Sequence, residues 1–241
     1  MSPDFKLKRA VAPLVVAHRG ASGELPGNTM AAFERAISLG ADVIEFDVRR
    51  SADGQLIVYH DAELDGRPVA GLTRSAIWYR SGTHPPLLAE VIDLARGRIG
   101  LDVEIKGTGY TGQVVSAIAA DEDPTRTIVS SFEGVVVTEL GSLAPDLARG
   151  LIVGEEHHGL ESFPDPAQHA FELGATHLVL HRRLAERRTL QQARRLGLAL
   201  WLWTVHEEDQ LQTHLRDPLV SGVVSDFPER AIRVRSDWLG H

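Results

Sequence analysis

Short clusters along the 241-residue chain bring together residue types that handle phosphate and protons. His18-Arg19-Gly20 sets an imidazole beside a guanidinium, and His60-Asp61 sets a second imidazole beside a carboxylate. Glu45 and Asp47 lie two residues apart, as do Glu104 and Lys106. Wherever the chain is extended, that spacing puts both side chains on one face. Histidine titrates near neutral pH and serves as base or acid. Carboxylates gathered at one point resist ionisation unless a cation is bound. With no cysteine in the chain, disulfides, thiolate metal sites and a Cys nucleophile are excluded. Hard oxygen donors then favour Mg²⁺ or Ca²⁺ over zinc. Each cluster alone reads better as local structure. Glu45 and Asp47 could pair with Arg19, Arg49 or Lys106, and His60-Asp61 could be a strand end and its turn. Their combination is what favours chemistry.

Positioning these clusters requires elements that converge. Strand-like apolar runs recur at 14–18, 42–48, 56–60, 101–106, 127–132, 150–153, 177–180, 198–205 and 222–225. Amphipathic stretches at 28–39, 87–96, 112–120, 133–140, 166–173, 185–196 and 207–215 lie between most of them. Alternation of this kind means βαβ units around a parallel sheet. The connection from Val48 to Leu56 is too short for a parallel crossover, and Asp53-Gly54 is a hairpin signal. The run at 56–60 therefore folds back on its predecessor, and the expected fold is a (β/α)₈ TIM barrel with a short β-hairpin excursion after the second strand. The length suits such a barrel, read here as a single domain over 1–241. An open doubly wound sheet lacks support, because no G-x-G-x-x-G follows the first strand.

Barrel function sits at the C-terminal ends of the strands. His18 closes the first, Glu45 and Asp47 the second, Glu104 and Lys106 the third, Trp203 the seventh and Asp226 the eighth. Val43 shares the parity of Glu45 and Asp47, so the inward face turns acidic only near its top. A turn at 51–54 sets Gln55 opposite Arg50 and His60 roughly opposite Glu45. The hairpin is thereby expected to return His60 to the acidic face, across from His18.

The pattern resembles the glycerophosphodiester phosphodiesterases over nearly the whole chain. The family's H-R-G and the Asn-Thr that opens its first helix are matched by His18-Arg19-Gly20 and Pro26-Gly27-Asn28-Thr29. Its E-x-D, D-G turn and H-D are matched by Glu45, Asp47, Asp53-Gly54 and His60-Asp61. Glu104 and Lys106 match its E-x-K, and Ser131-Phe132, Trp203-Thr204-Val205 and Ser225-Asp226-Phe227-Pro228 match later pieces. The resemblance implies metal-dependent hydrolysis of glycerophosphodiesters to glycerol phosphate and an alcohol. Glu45, Asp47 and Glu104 would hold one divalent cation, Mg²⁺ or Ca²⁺. His18 and His60 would be base and acid, in either order. Arg19 and Lys106 would bind the phosphodiester, with Trp203 beside it. Two departures stand out. Gly27 replaces the family's Glu, for which Glu24 is the candidate substitute. The segment from Asp61 to Leu88 is short, with Asp65-Gly66-Arg67 in place of an Arg-Thr-Thr stretch. A lysophospholipase D-like or other phosphodiester hydrolase, or a non-catalytic phosphodiester-binding barrel, are the alternatives.

A net charge of -8 argues against nucleic acid as a partner and leaves a small-molecule diester. No apolar run reaches membrane-spanning length and none reads as a signal peptide, so a cytoplasmic location without an integral membrane segment is expected. The oligomeric state is not legible. His157-His158 reads as a solvated loop pair, and the arginine run from Arg182 to Arg195 as a solvated helix face. Trp201 shares the parity of Trp203 but reads as core.

Overall fold

The computed structural model describes residues 12–121, 123–155 and 165–240. Strands β1 (Leu14–His18), β2 (Val43–Arg50), β6 (Gly100–Ile105), β7 (Thr127–Ser131), β8 (Ala148–Val153), β9 (His177–His181), β10 (Ala199–Trp203) and β11 (Gly222–Ser225) pair side by side in parallel. Pairing of β1 with both β2 and β11 closes the ring. The expected (β/α)₈ barrel is therefore what forms. Its helices are α1 (Met30–Leu39), α3 (Leu88–Ala95), α4 (Thr111–Ala119), α5 (Gly134–Leu143), α6 (Pro166–Glu172), α7 (Arg187–Arg195), α8 (Glu208–Leu215) and α9 (Pro228–Leu239). Closure is also secured from below. Asp42 accepts a hydrogen bond from the Val15 amide at 2.7 Å and pairs with Arg235 of α9, tying the first strand to the last helix.

The excursion after β2 is antiparallel, as expected, but its details differ. Strand β3 (Leu56–Val58) pairs Arg50 with Leu56 and Val48 with Val58, one residue away from the expected register. Extrapolated along the strand, this sets His60 opposite Phe46 rather than Glu45. Tyr59 still donates its amide to the Asp47 carbonyl at 2.9 Å in this register, while the Val58 amide faces away from β2 to the Pro86 carbonyl; His60 lies just beyond and approaches the barrel from a loop. The short segment beyond it builds a hairpin of β4 (Glu63–Leu64) and β5 (Arg67–Pro68), followed by α2 (Arg74–Ser81). Ile57, Val69, Leu72 and Ile77 give this unit a small core of its own. Neither α2 nor α9 is apparent from the apolar spacing, since both interrupt their apolar positions with arginine.

Two apolar layers hold the barrel. Between strands and helices lie residues such as Phe33, Ile44, Phe46, Leu140, Leu178 and Leu202. Inside the ring, Val16, Val43, Ile128, Ile152, Val179, Trp201 and Val224 fill the lower half, which confirms Trp201 as core. Trp201 fits because Gly222 beside it has no side chain. A Cβ there would stand 2.7 Å from the indole Cδ1. Gly222→Ala should therefore cost about 1–3 kcal/mol of stability through overpacking. Gly112→Ala, in helix α4 with open space around it, should gain roughly 0.4–1 kcal/mol. Urea midpoints of the two variants check both signs.

Candidate functional site at the barrel mouth

The first strand ends in a tight left-handed turn, with Arg19 at φ 55° and Gly20 at φ 81°. Gly20 is required twice over: its φ suits glycine, and a Cβ there would lie 2.6 Å from the Ala32 backbone of α1. This turn points the Arg19 amide at Glu45 Oε2 (2.9 Å) and its guanidinium Nε at Asp47 Oδ2 (3.1 Å). Asn28, held at φ 59° just before α1, donates Nδ2–H to Asp47 Oδ2 at 2.7 Å and accepts from the Asp47 amide. Thr29 caps α1 by accepting from the Ala32 amide. The H-R-G and Asn-Thr pieces thus grip one carboxylate from two sides.

On β2 and β6 the register sets Glu45 beside Asp102 and Asp47 beside Glu104. Lys106 follows them and reaches Glu104 Oε1 at 2.7 Å and Asp47 Oδ1 at 3.5 Å. Glu45, Asp47 and Glu104 are all buried, with ligand oxygens within 4.8 Å of one another. Burial, then the Asp47 charge, pushes Glu45 well above the ordinary carboxylate value. The same causes push Glu104 up to about 7. Asp47 goes the other way: burial opposes its ionisation, but Arg19, Lys106 and Asn28 together hold it below the ordinary value. Glu45 Oε1 is buried without a hydrogen-bond partner. A hard divalent cation fits this set of donors.

His18 Nδ1–H donates to the Asp226 carboxylate at Oδ1, 2.6 Å away, which leaves Nε2 on the side of Glu45. Asp226 also pairs with His206 Nε2 at 3.2 Å and accepts from Ser22 Oγ. His60 is tied likewise, its Nδ1 lying 2.8 Å from Asp61 Oδ1. Burial pulls His60 below the ordinary histidine value. His18, Arg19, Glu45, His60, Glu104, Lys106 and Trp203 line one cavity, and Asp47 braces it from behind. All the sequence-derived site residues are thus brought together. One part of the cavity wall is aromatic: Trp203 and Phe132 meet edge to face at 5.6 Å, with the Lys106 ammonium 5.4 Å from the Phe132 ring. The indole N–H of Trp203 donates to the Val179 carbonyl, fixing its plane.

Some expectations need correction. Glu24 does not replace the missing family carboxylate; it pairs with Arg35 of α1, away from the cavity. At Gly27 a Cβ would lie 3.0 Å from the Arg19 Cβ and 3.2 Å from the Ser22 Cβ, so a longer side chain there requires these neighbours to give by a few tenths of an ångström. His157-His158 lies outside the described residues. Sequence reasoning passed over Asp102 and Ser130, which also line the cavity, and gave Asp226 no role beyond closing its strand. A signal for Asp102 was available, since it lies two residues before Glu104 and shares its face. His206 carried none.

Asp102 is 1% exposed, and burial, eased by the Ser130 hydrogen bond, pushes it up to about 7 from 3.8. Below pH 3.8 both folded and unfolded chains keep this proton, and nothing is lost. As pH rises toward 7 the unfolded chain ionises first, so stability falls. Metal-free Asp102→Asn should therefore be more stable than the parent at pH 8, by on the order of 2–4 kcal/mol. The advantage should vanish near pH 4, as denaturant melts across that range will reveal.

Comparison with known proteins agrees with this geometry. Residues 18–80 match the Glycerophosphoryl diester phosphodiesterase family model. The glycerophosphodiester phosphodiesterase of Caldanaerobacter subterraneus subsp. tengcongensis is 30% identical over 92% of this chain and 97% of its own. A solved structure from Silicibacter pomeroyi shares the fold with a TM-score of 0.82, at 25% identity over 95% of each chain. The crystal structure of glycerophosphodiester phosphodiesterase from Agrobacterium tumefaciens has a TM-score of 0.76 and 26% identity, over 92% of this chain and 99% of that one. This chain belongs to the glycerophosphodiester phosphodiesterase family.

Proposed function

We propose that the chain hydrolyses glycerophosphodiesters to glycerol phosphate and an alcohol, using one divalent cation, Mg²⁺ or Ca²⁺, and two histidines. The observation that carries this reading is the pairing of two carboxylate-tethered imidazoles with a buried carboxylate triad on one cavity. Glu45, Asp47 and Glu104 would hold the cation. When bound, it supplies positive charge that polarises the phosphoryl oxygens.

The chain's own residues account for the rest. Arg19 and Lys106 face the cavity and attract the phosphodiester anion, stabilising charge that grows on its equatorial oxygens. Trp203 packs beside the substrate. With Nδ1 of each imidazole engaged by a carboxylate, Nε2 is the nitrogen left for proton transfer. One histidine takes the proton of the glycerol hydroxyl next to the ester carbon. That oxygen bonds to phosphorus, the bond to the alcohol oxygen breaks, and the other histidine protonates the leaving alkoxide. Water then opens the cyclic phosphate with the two roles reversed. His18 as base and His60 as acid, or the converse, satisfy the same proton balance. Asp226 is a positioning residue that selects the His18 tautomer.

The apolar wall of Phe132 and Trp203 favours one second reading, another phosphodiester whose head group is apolar. Among the described residues, no helix is long and apolar enough to cross a membrane.

Turnover of glycerophosphocholine and glycerophosphoethanolamine, stopped by EDTA and restored by Mg²⁺ or Ca²⁺, is the expected result. His18→Ala and His60→Ala should each lower kcat by about 10²- to 10⁴-fold. Asp226→Asn should lower it about 10- to 100-fold with KM little changed. Full activity in EDTA, or in either alanine variant, would remove the corresponding assignment.

A further inference from the structure

The cavity floor holds a polar group with no assigned task. Asp102 and Ser130 are both fully buried and line the cavity, amid Ile152, Val179 and Val224. Ser130 Oγ donates to Asp102 Oδ1 at 2.7 Å, which fixes the carboxyl plane. Its other oxygen, Oδ2, is buried and without a hydrogen-bond partner. An unpaired buried oxygen of this kind is costly, and most are satisfied in the working state of a protein. Asp102 stands two residues below Glu104 on β6, roughly 6–7 Å deeper in the barrel. Beside Ser130 the register partner is Gly150, where a Cβ would stand 3.2 Å from Val179 Cγ2 and 3.3 Å from Ser130 Cβ, so its missing side chain lets both of these cavity-lining residues sit where they do.

We infer that Asp102, steered by Ser130, binds the terminal hydroxyl of the substrate's glycerol moiety and is the residue that reads whether that hydroxyl is present and free. This rests on the diesterase reading above. The phosphodiester is held at the mouth by Arg19 and Lys106, and the attacking hydroxyl must stay near the histidines. The terminal hydroxyl reaches furthest from phosphorus and is the part left to meet the floor. A hydroxyl both donates and accepts, so it satisfies Asp102 whether the carboxyl is ionised or protonated. An ester oxygen has no proton to give, and its acyl group would press on the buried side chains around Asp102.

The test compares kcat/KM, with Mg²⁺ or Ca²⁺ present, for three diesters. They are glycerophosphocholine, its propane-1,2-diol analogue lacking only the terminal hydroxyl, and its derivative acetylated there. The parent protein should prefer glycerophosphocholine over both others by roughly 10- to 100-fold. In Asp102→Ala the preference over the deoxy analogue should collapse toward one. In Asp102→Asn part of it should return, because the amide N–H can donate to the hydroxyl oxygen. Equal rates on all three diesters by the parent protein would overturn the inference while leaving the diesterase reading intact. So would an alanine variant that slows all three alike, which is what a purely structural Asp102 would do. No turnover of any diester would sink both.

Discussion

Everything at the mouth of this barrel depends on Asp47. It is fully buried, yet Arg19, Lys106 and Asn28 keep it ionised against the cost of desolvation. Those partners arrive from the turn after β1, the start of α1 and the end of β6, so one carboxylate ties three segments together. Burying a charge in this way is tolerable only when its partners are placed by the backbone. The left-handed turn at Arg19-Gly20 and the bracket formed by Asn28 do that placing. Glu45 and Glu104 then find themselves beside a charge that is already fixed. Their own ionisation is held back by burial and by Asp47, and a bound cation would balance them.

The two imidazoles are built on a different principle, at the rim rather than in the core. Each has Nδ1 committed to a carboxylate and Nε2 left over. Asp226 serves two rings at once, His18 and His206, while Asp61 serves His60 from the next position in the chain. The barrel separates these tasks by depth. An apolar layer around Trp201 fills the bottom, Asp102 and Ser130 make a polar floor, the acidic triad lies above it, and the histidines and cations form the mouth.

Most of this was legible because a strand repeats every two residues. Val43, Glu45 and Asp47 read as one inward face, and the register with Gly100, Asp102 and Glu104 is the one that parity demands. The hairpin at Asp53-Gly54 was legible from the short gap and the turn residues, but its register was off by one. Leu56, Ile57 and Val58 are all apolar, so no side chain there distinguishes one register from the next. Asp226 reaching across to His18, 208 residues away, is a product of ring closure that no local pattern encodes. The arginine-rich helices α2 and α9 escaped notice because their apolar faces are narrow. Gly27 was legible as a departure, but only the packing shows that the neighbouring Arg19 leaves little room for a longer side chain.

The central claim is that the triad of Glu45, Asp47 and Glu104 holds a divalent cation. The most direct measurement is thermal unfolding in EDTA and then in saturating Mg²⁺ or Ca²⁺, for the parent chain and for Glu45→Gln. A cation bound only by the folded state stabilises it by about 2.7 kcal/mol at a hundredfold excess over Kd. For a chain of this size that raises Tm by roughly 5–10 °C. The account predicts that rise in the parent and little or none in the variant. An equal Tm with and without either cation, or an equal rise in both proteins, would contradict it.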